Sequence, residues 1–165
     1  MTTTINNYSQ TNNDLHILFS CIVHSLLNGA RDIIHDFDCR DVTSLVSFLE
    51  YVQLHSALNI SVADALKQSV KARYIAICSE AQPIDLSRTL RSLVTAQVEL
   101  TAEDITAVQH RLNATVGDMQ CLDLCHMLWS HATGHWTLPR KLGRRVMGRC
   151  VEVIEGKENI FNLVM

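Results

Sequence analysis

The side chains of this chain best suited to chemistry are Cys121, Cys125, His126, His131 and His135, all potential metal ligands in one short segment. Cys121 and Cys125 stand one helical turn apart, as do His131 and His135, and thiolate sulfur and imidazole nitrogen are donors that zinc prefers. Structural zinc sites usually pin loops through two closely spaced cysteines and a distant second pair, whereas both cysteines here fall inside an amphipathic pattern. Core cysteines and exposed histidines are the expectation, with no bound metal and no other cofactor. A second cluster, Asp32, His35, Asp36 and Asp38, lacks the spacing and central glycine of a calcium loop and reads as a solvated helix end. His24 and His55 sit singly in helical patterns. Neither a G-x-S-x-G elbow, an H-E-x-x-H pair nor a glycine-rich phosphate loop occurs, so no catalytic residue is assigned and a non-enzyme is expected.

Charge carries a stronger signal. Between Asp14 and Asp64 seven acids (Asp14, Asp32, Asp36, Asp38, Asp41, Glu50 and Asp64) face only Arg31 and Arg40. Near the other end Arg140, Lys141, Arg144, Arg145 and Arg149 follow one another with no acid between them, although the whole chain carries only −3. At 100° per residue these five cations take one half of a helix, and Leu142, Val146, Cys150, Val153 and Ile154 take the other. An amphipathic basic helix of this kind suits a protein partner, the acidic end of a second copy, or the phosphates of a nucleic acid. The tail Ile160, Phe161, Leu163, Val164 and Met165 is apolar where chain ends are usually polar, which points to oligomerisation through those residues.

The elements that position these residues are helices. Apolar residues make up 47% of the chain but aromatics only 5%, and six Gly and two Pro are too few for the turns of a many-stranded fold. Residues 1–13 carry no charge and no periodicity and are expected to be disordered, ahead of a cap at Asn13 or Asp14 and one α-helical domain over 14–165. Leu15, Leu18, Phe19, Ile22, Leu26, Ile33 and Phe37 then draw one stripe along a long first helix, taken to run through the middle of the domain. Asp38 or Asp41 caps a second helix through Val42, Leu45, Val46, Leu49 and Val52 to about Leu58, and Ser61 with Asp64 caps a third that Pro83 ends.

A fourth helix reads from Asp85 to Val98, and a fifth follows a Thr101–Asp104 capping box with Gly117 as its C-terminal stop. Asp118 caps a sixth, whose Met119, Leu122, Cys125 and Trp129 form its apolar face until Gly134. The seventh starts at Pro139 and runs to Gly156. Short connections predict an all-α bundle or orthogonal array of about seven helices.

Most of the six cysteines read as core-facing and unbridged. The start lacks a secretory pattern, which with the free thiols suggests the cytoplasm or another reducing compartment, nuclear or host-cell delivery remaining open. No stretch is read as a membrane span, because Ser20, His24, Asn28 and Asp32 interrupt the best one. The function expected is a non-catalytic helical interaction protein that self-associates and presents the basic helix of about 139–155 to a partner. Alternatives are an RNA- or DNA-binding regulatory protein, viral or bacterial, using the same helix, and a secreted bacterial effector, which the Thr/Asn/Ser-rich start would suit.

Overall fold

No Gly or Pro stands before Gly29, so nothing stops the first helix from extending toward the N-terminus. In the computed structural model, which describes the backbone of residues 3–54 and 64–164 and the side chains of 17–52 and 64–156, α1 spans Thr3–Ile33. It therefore begins well before the cap expected at Asn13 or Asp14. A single 3-10 turn, Ile34–Asp36, ends it. Then come α2 (Cys39–Leu54), α3 (Asp64–Ile77), α4 (Pro83–Thr95), α5 (Ala102–Thr115), α6 (Cys121–Thr133) and α7 (Arg140–Val164). The fold is all-α, as the stripes and the scarcity of turn residues require, and no strand occurs among the described residues. The expected cap at Ser61 lies outside the described residues.

Local chemistry accounts for most helix starts. Asp38 accepts from the N–H groups of Arg40 (2.8 Å) and Asp41 (2.9 Å), while Asp41 accepts from the N–H of Asp38 at 3.2 Å, so the two acids cap α2 reciprocally. Thr101 and Asp104 form the capping box read in the sequence. Pro83 does not end α3, which stops at Ile77; it opens α4, where its missing N–H costs nothing. Gly117 lies in a 3-10 turn, Val116–Asp118, without a positive φ. Asp118 is exposed, and the side chain that caps α6 is Asp123, whose carboxylate accepts from the Gln120 N–H at 2.9 Å.

The stops of α4 and α6 use non-glycine residues. Gln97 (φ 55°) and His135 (φ 56°) take the left-handed position, and the N–H groups of Val98 and Trp136 return to the carbonyls of Leu93 and His131, both at 2.9 Å. Gly134 is needed beside His135 for space: a Cβ there would meet the Trp136 ring at 2.5 Å.

The centre of the molecule is α4, which packs against α2, α5 and α6. Leu86, Leu90 and Leu93 are fully buried, and so are Ser87, Thr89 and Ser92. Those small side chains let neighbouring helices approach, and each is hydrogen-bonded: Ser87 to Asp123 at 3.2 Å, Thr89 to Thr43 at 2.7 Å, and Ser92 to Glu50 at 2.6 Å. Tyr74 donates to the Leu86 carbonyl at 3.1 Å, and Arg111 donates twice to the Ala81 carbonyl, so α3 and α5 are tied to the start of α4 and the loop before it.

The long first helix is therefore not at the centre, contrary to the expectation from its length. It packs against α3 and the turn that follows it. Of its described side chains only Val23 and Leu27 are buried; Leu18, Phe19, Ile22, Leu26 and Ile33 of the expected core stripe are exposed. The reason is the width of the apolar arc, which exceeds what one neighbour can cover. The polar interruptions Ser20, His24, Asn28 and Asp32 recur every four residues and so share one face, leaving the opposite side apolar. By length and composition Ile17–Asp36 is long and apolar enough to cross a membrane, which the interruptions had argued against.

Candidate functional site

The five ligand candidates of the α6 region do not converge. Cys125 and His135 are exposed, whereas His131 is buried with its Nδ1 2.9 Å from the Met127 carbonyl and its Nε2 3.3 Å from the Gln109 amide. Its ring meets Trp136 edge-on at 5.9 Å. Among the described residues no three His, Cys, Asp or Glu side chains could hold one ion. None of the six cysteines forms a disulfide, and Cys78 alone among them is buried; Cys21 is exposed, and so is Cys125, contrary to the core-facing expectation for it. Of the apolar face read for α6, Met119, which precedes the helix, is buried, but the rest is misplaced. Leu122, Cys125 and Trp129 are exposed, and Leu124, Met127, Ser130 and His131 point inward. Trp129 is partly covered by the Arg91 guanidinium, 5.8 Å from its ring centre.

Burial pushes the pKa of His131 down against the raising effect of its bond to Met127, and it does the same to His126, where Arg91 and Arg88 add repulsion. Both histidines thus bind a proton more weakly folded than unfolded, so stability is complete above about pH 6.5 and falls as pH drops below it. Urea midpoints at successive pH values should decline on that limb, and His131→Gln should flatten the decline. An unchanged pH dependence in the variant would contradict the assignment.

A polar hollow beside the start of α2 is lined by Asp38, Cys39, Arg40, Arg73, Glu80 and Asp85. A thiol at a helix N-terminus is often activated, but burial and then Asp85, Asp38 and Glu80 push the Cys39 pKa up despite Arg73. The thiol donates weakly to the Ile77 carbonyl at 3.6 Å. Both effects disfavour the thiolate.

The basic helix divides differently from the sequence pattern. Arg145 reaches back to α5 and donates to the carbonyl and, at 3.1 Å, to the side chain of Asn113. Arg149 donates to the Met119 carbonyl at 2.9 Å and pairs with Glu152 at 3.1 Å. Both cations dock α7 onto the body, in place of the free basic half expected for all five. Arg140, Lys141 and Arg144 remain exposed, Lys141 beside a shallow groove lined by Gln109, His110, Asn113 and Leu142.

On the apolar side Leu142 and Val146 are buried and Cys150 and Val153 half-buried, but Ile154 is exposed. With it go Met147 and Val151, which sequence reasoning left out; the three are 60%, 63% and 49% exposed. At 100° per residue Arg140, Arg144, Met147, Val151 and Ile154 fall within about 80° of arc, giving one face that is basic at its start and apolar beyond. The 4,3 spacing of Met147, Val151 and Ile154 was the available signal, masked by the cations around it. The helix continues through Gly156 to Val164; the side chains of Ile160, Phe161, Leu163 and Val164 lie outside the described residues.

No family model matches the chain, and neither a curated protein nor a solved structure is significantly similar to it. The α7 face has to be interpreted from its own chemistry.

Proposed function

We propose that this chain is a non-catalytic helical interaction protein that self-associates and offers the outer face of α7 to a protein partner. One observation carries this: Arg140 and Arg144 share their face with the exposed Met147, Val151 and Ile154. Exposed apolar side chains in a row, rimmed by charge, are the composition of a protein–protein contact. A phosphate backbone asks for cations and gains nothing from Met147 or Ile154. Two of the five cations once available to phosphates are also engaged at backbone carbonyls, which weakens the alternative of a nucleic-acid binder.

Met147→Glu with Ile154→Glu should leave the circular dichroism spectrum and the urea midpoint nearly unchanged, because surface substitutions typically cost within ~0.5 kcal/mol. The same pair should shift the sedimenting species of tens of micromolar protein from an oligomer to a monomer. A double variant that assembles as the parent does would remove α7 from the contact. Nucleic-acid binding, if it is what the face does, would show a log–log salt slope of about −2.7 for three phosphate contacts, and Arg144→Glu would flatten it.

A further inference from the structure

We infer that the occupant of the α7 face is α1 of a second copy, the two helices lying antiparallel; this rests on the reading of α7 as a protein-binding face. The two helices carry the exposed apolar rows described above and pack against different parts of the body, α1 against α3 and α7 against α5, α6 and the turn at 116–118. Leu18, Phe19, Ile22, Leu26 and Ile33 fall within about 100° of arc on α1, beside the buried Val23 and Leu27. Phe19, Ile22, Leu26, Gly29 and Ile33 follow the 3,4,3,4 spacing of a helix–helix seam, as Met147, Val151 and Ile154 do with spacing 4,3. A single kind of contact therefore covers both faces.

Charge chooses the partner and the direction. The exposed Asp32 flanks the C-terminal end of the α1 row on its polar side and the exposed Asp36 follows in the 3-10 turn, while the exposed Arg140 and Arg144 stand at the N-terminal end of the α7 row. Laid antiparallel with Asp36 opposite Arg140, the register puts Asp32 opposite Arg144 and Ile22 opposite Ile154, with Leu26 one position from Val151. A parallel pair would instead bring the acids toward Glu152 and Glu155. Pairing α1 with another α1 would offer the acids a single cation per helix, Arg31, which already pairs with Asp32 of its own chain.

Asp32 and Asp36 have partners in their own chain, Arg31 at 3.4 Å and His35 at 3.3 Å, but both pairs are solvent-exposed neighbours in sequence. The same register places Gly29 opposite Met147 and Gly143 opposite Ile33. Neither glycine has a positive φ, and a Cβ on either would meet nothing within 4 Å in its own chain. A glycine inside a helix costs about 1 kcal/mol relative to Ala, and nothing in the monomer requires these two. The proposed contact seats long side chains of a second copy against both. In a two-fold dimer the contact is made twice.

The test uses two charge-reversed full-length chains, Asp32→Lys with Asp36→Lys and Arg140→Glu with Arg144→Glu, in sedimentation at low salt. Each alone should dimerise about tenfold or more weakly than the parent, since four attractions become repulsions. An equimolar mixture should recover most of the parent affinity, because every acid–base pair in the mixed dimer is again complementary. Unchanged helical spectra keep misfolding apart from lost contact, and recovery in the mixture shows that both chains are folded. A dimer that survives base reversal points to α1 pairing with α1 and overturns the proposal. So does a parent that stays monomeric and floats with phosphatidylcholine vesicles, which would make Ile17–Asp36 a membrane segment. If Met147→Glu with Ile154→Glu abolishes the dimer while the acid reversal does not, α7 remains a binding face and only the assignment of α1 falls.

Discussion

Leu90→Ala is expected to lower the unfolding free energy by about 2–5 kcal/mol, a large part of the ~5–15 kcal/mol that holds a domain of ordinary size together. Leu90 is 0% exposed, in the helix that separates α2 from α6. A shortened side chain there leaves a cavity that neither neighbour can close without moving the hydrogen bonds of Thr89 and Ser92 to α2. The comparison variant is Leu26→Ala in α1. Leu26 is 61% exposed and belongs to the long apolar stripe of α1, yet its loss should change monomer stability by ~0.5 kcal/mol or less. Urea unfolding of dilute protein measures both. If Leu26→Ala were as costly as Leu90→Ala in the monomer, α1 rather than α4 would be the central helix.

The second large effect concerns Asp123, which is 5% exposed and holds two elements at once. One carboxylate oxygen accepts from the Gln120 N–H and caps α6, and the other accepts from Ser87 of α4. Asp123→Ala removes a cap of about 1 kcal/mol and a hydrogen bond to a charged group of about 1.5–3 kcal/mol, and it leaves a buried hydroxyl with poorer company. A loss of about 2–4 kcal/mol should follow. Asp123→Asn, which keeps an acceptor, should cost less. Asp118→Ala is the control, because Asp118 is the acid that the sequence pattern nominates as the cap and it is exposed. Thermal or urea unfolding in which Asp118→Ala is the more damaging substitution would contradict the geometry.

Neither result could have been reached from periodicity, and the reason differs for each residue. Asp118 and Asp123 both precede or open an apolar run, and capping preference alone favours the earlier one. The intervening 3-10 turn, which moves the helix start to Cys121, follows from how Val116 and Met119 are buried beneath α7 and its Arg149. Nothing in the sequence marks Ser87, Thr89 and Ser92 as core, because it does not show that Asp123, Thr43 and Glu50 wait on neighbouring helices to pair with them. The same blindness put Leu122, Cys125 and Trp129 inside. A helix with apolar residues on more than one side offers several arcs for burial, and the choice belongs to its neighbours.

What the sequence determined by itself is what depends on residues within about four positions of one another. The all-α class, the number of helices, a cap for α2 at Asp38 or Asp41, the Thr101–Asp104 box and the end of α6 near Gly134 are all written locally, in hydrogen bonds that close over one turn. The presence of a basic helix near the C-terminal end is equally local. The tertiary structure decided what depends on distant partners: that α4 and not α1 is surrounded, that Arg145 and Arg149 turn back to Asn113 and Met119, and that Met147, Val151 and Ile154 are left outside beside Arg140 and Arg144. The physical cause is that burial is shared among elements. A stripe of apolar residues states that a helix can be covered, but which stripe is covered, and by what, is fixed only when every helix competes for the same few neighbours.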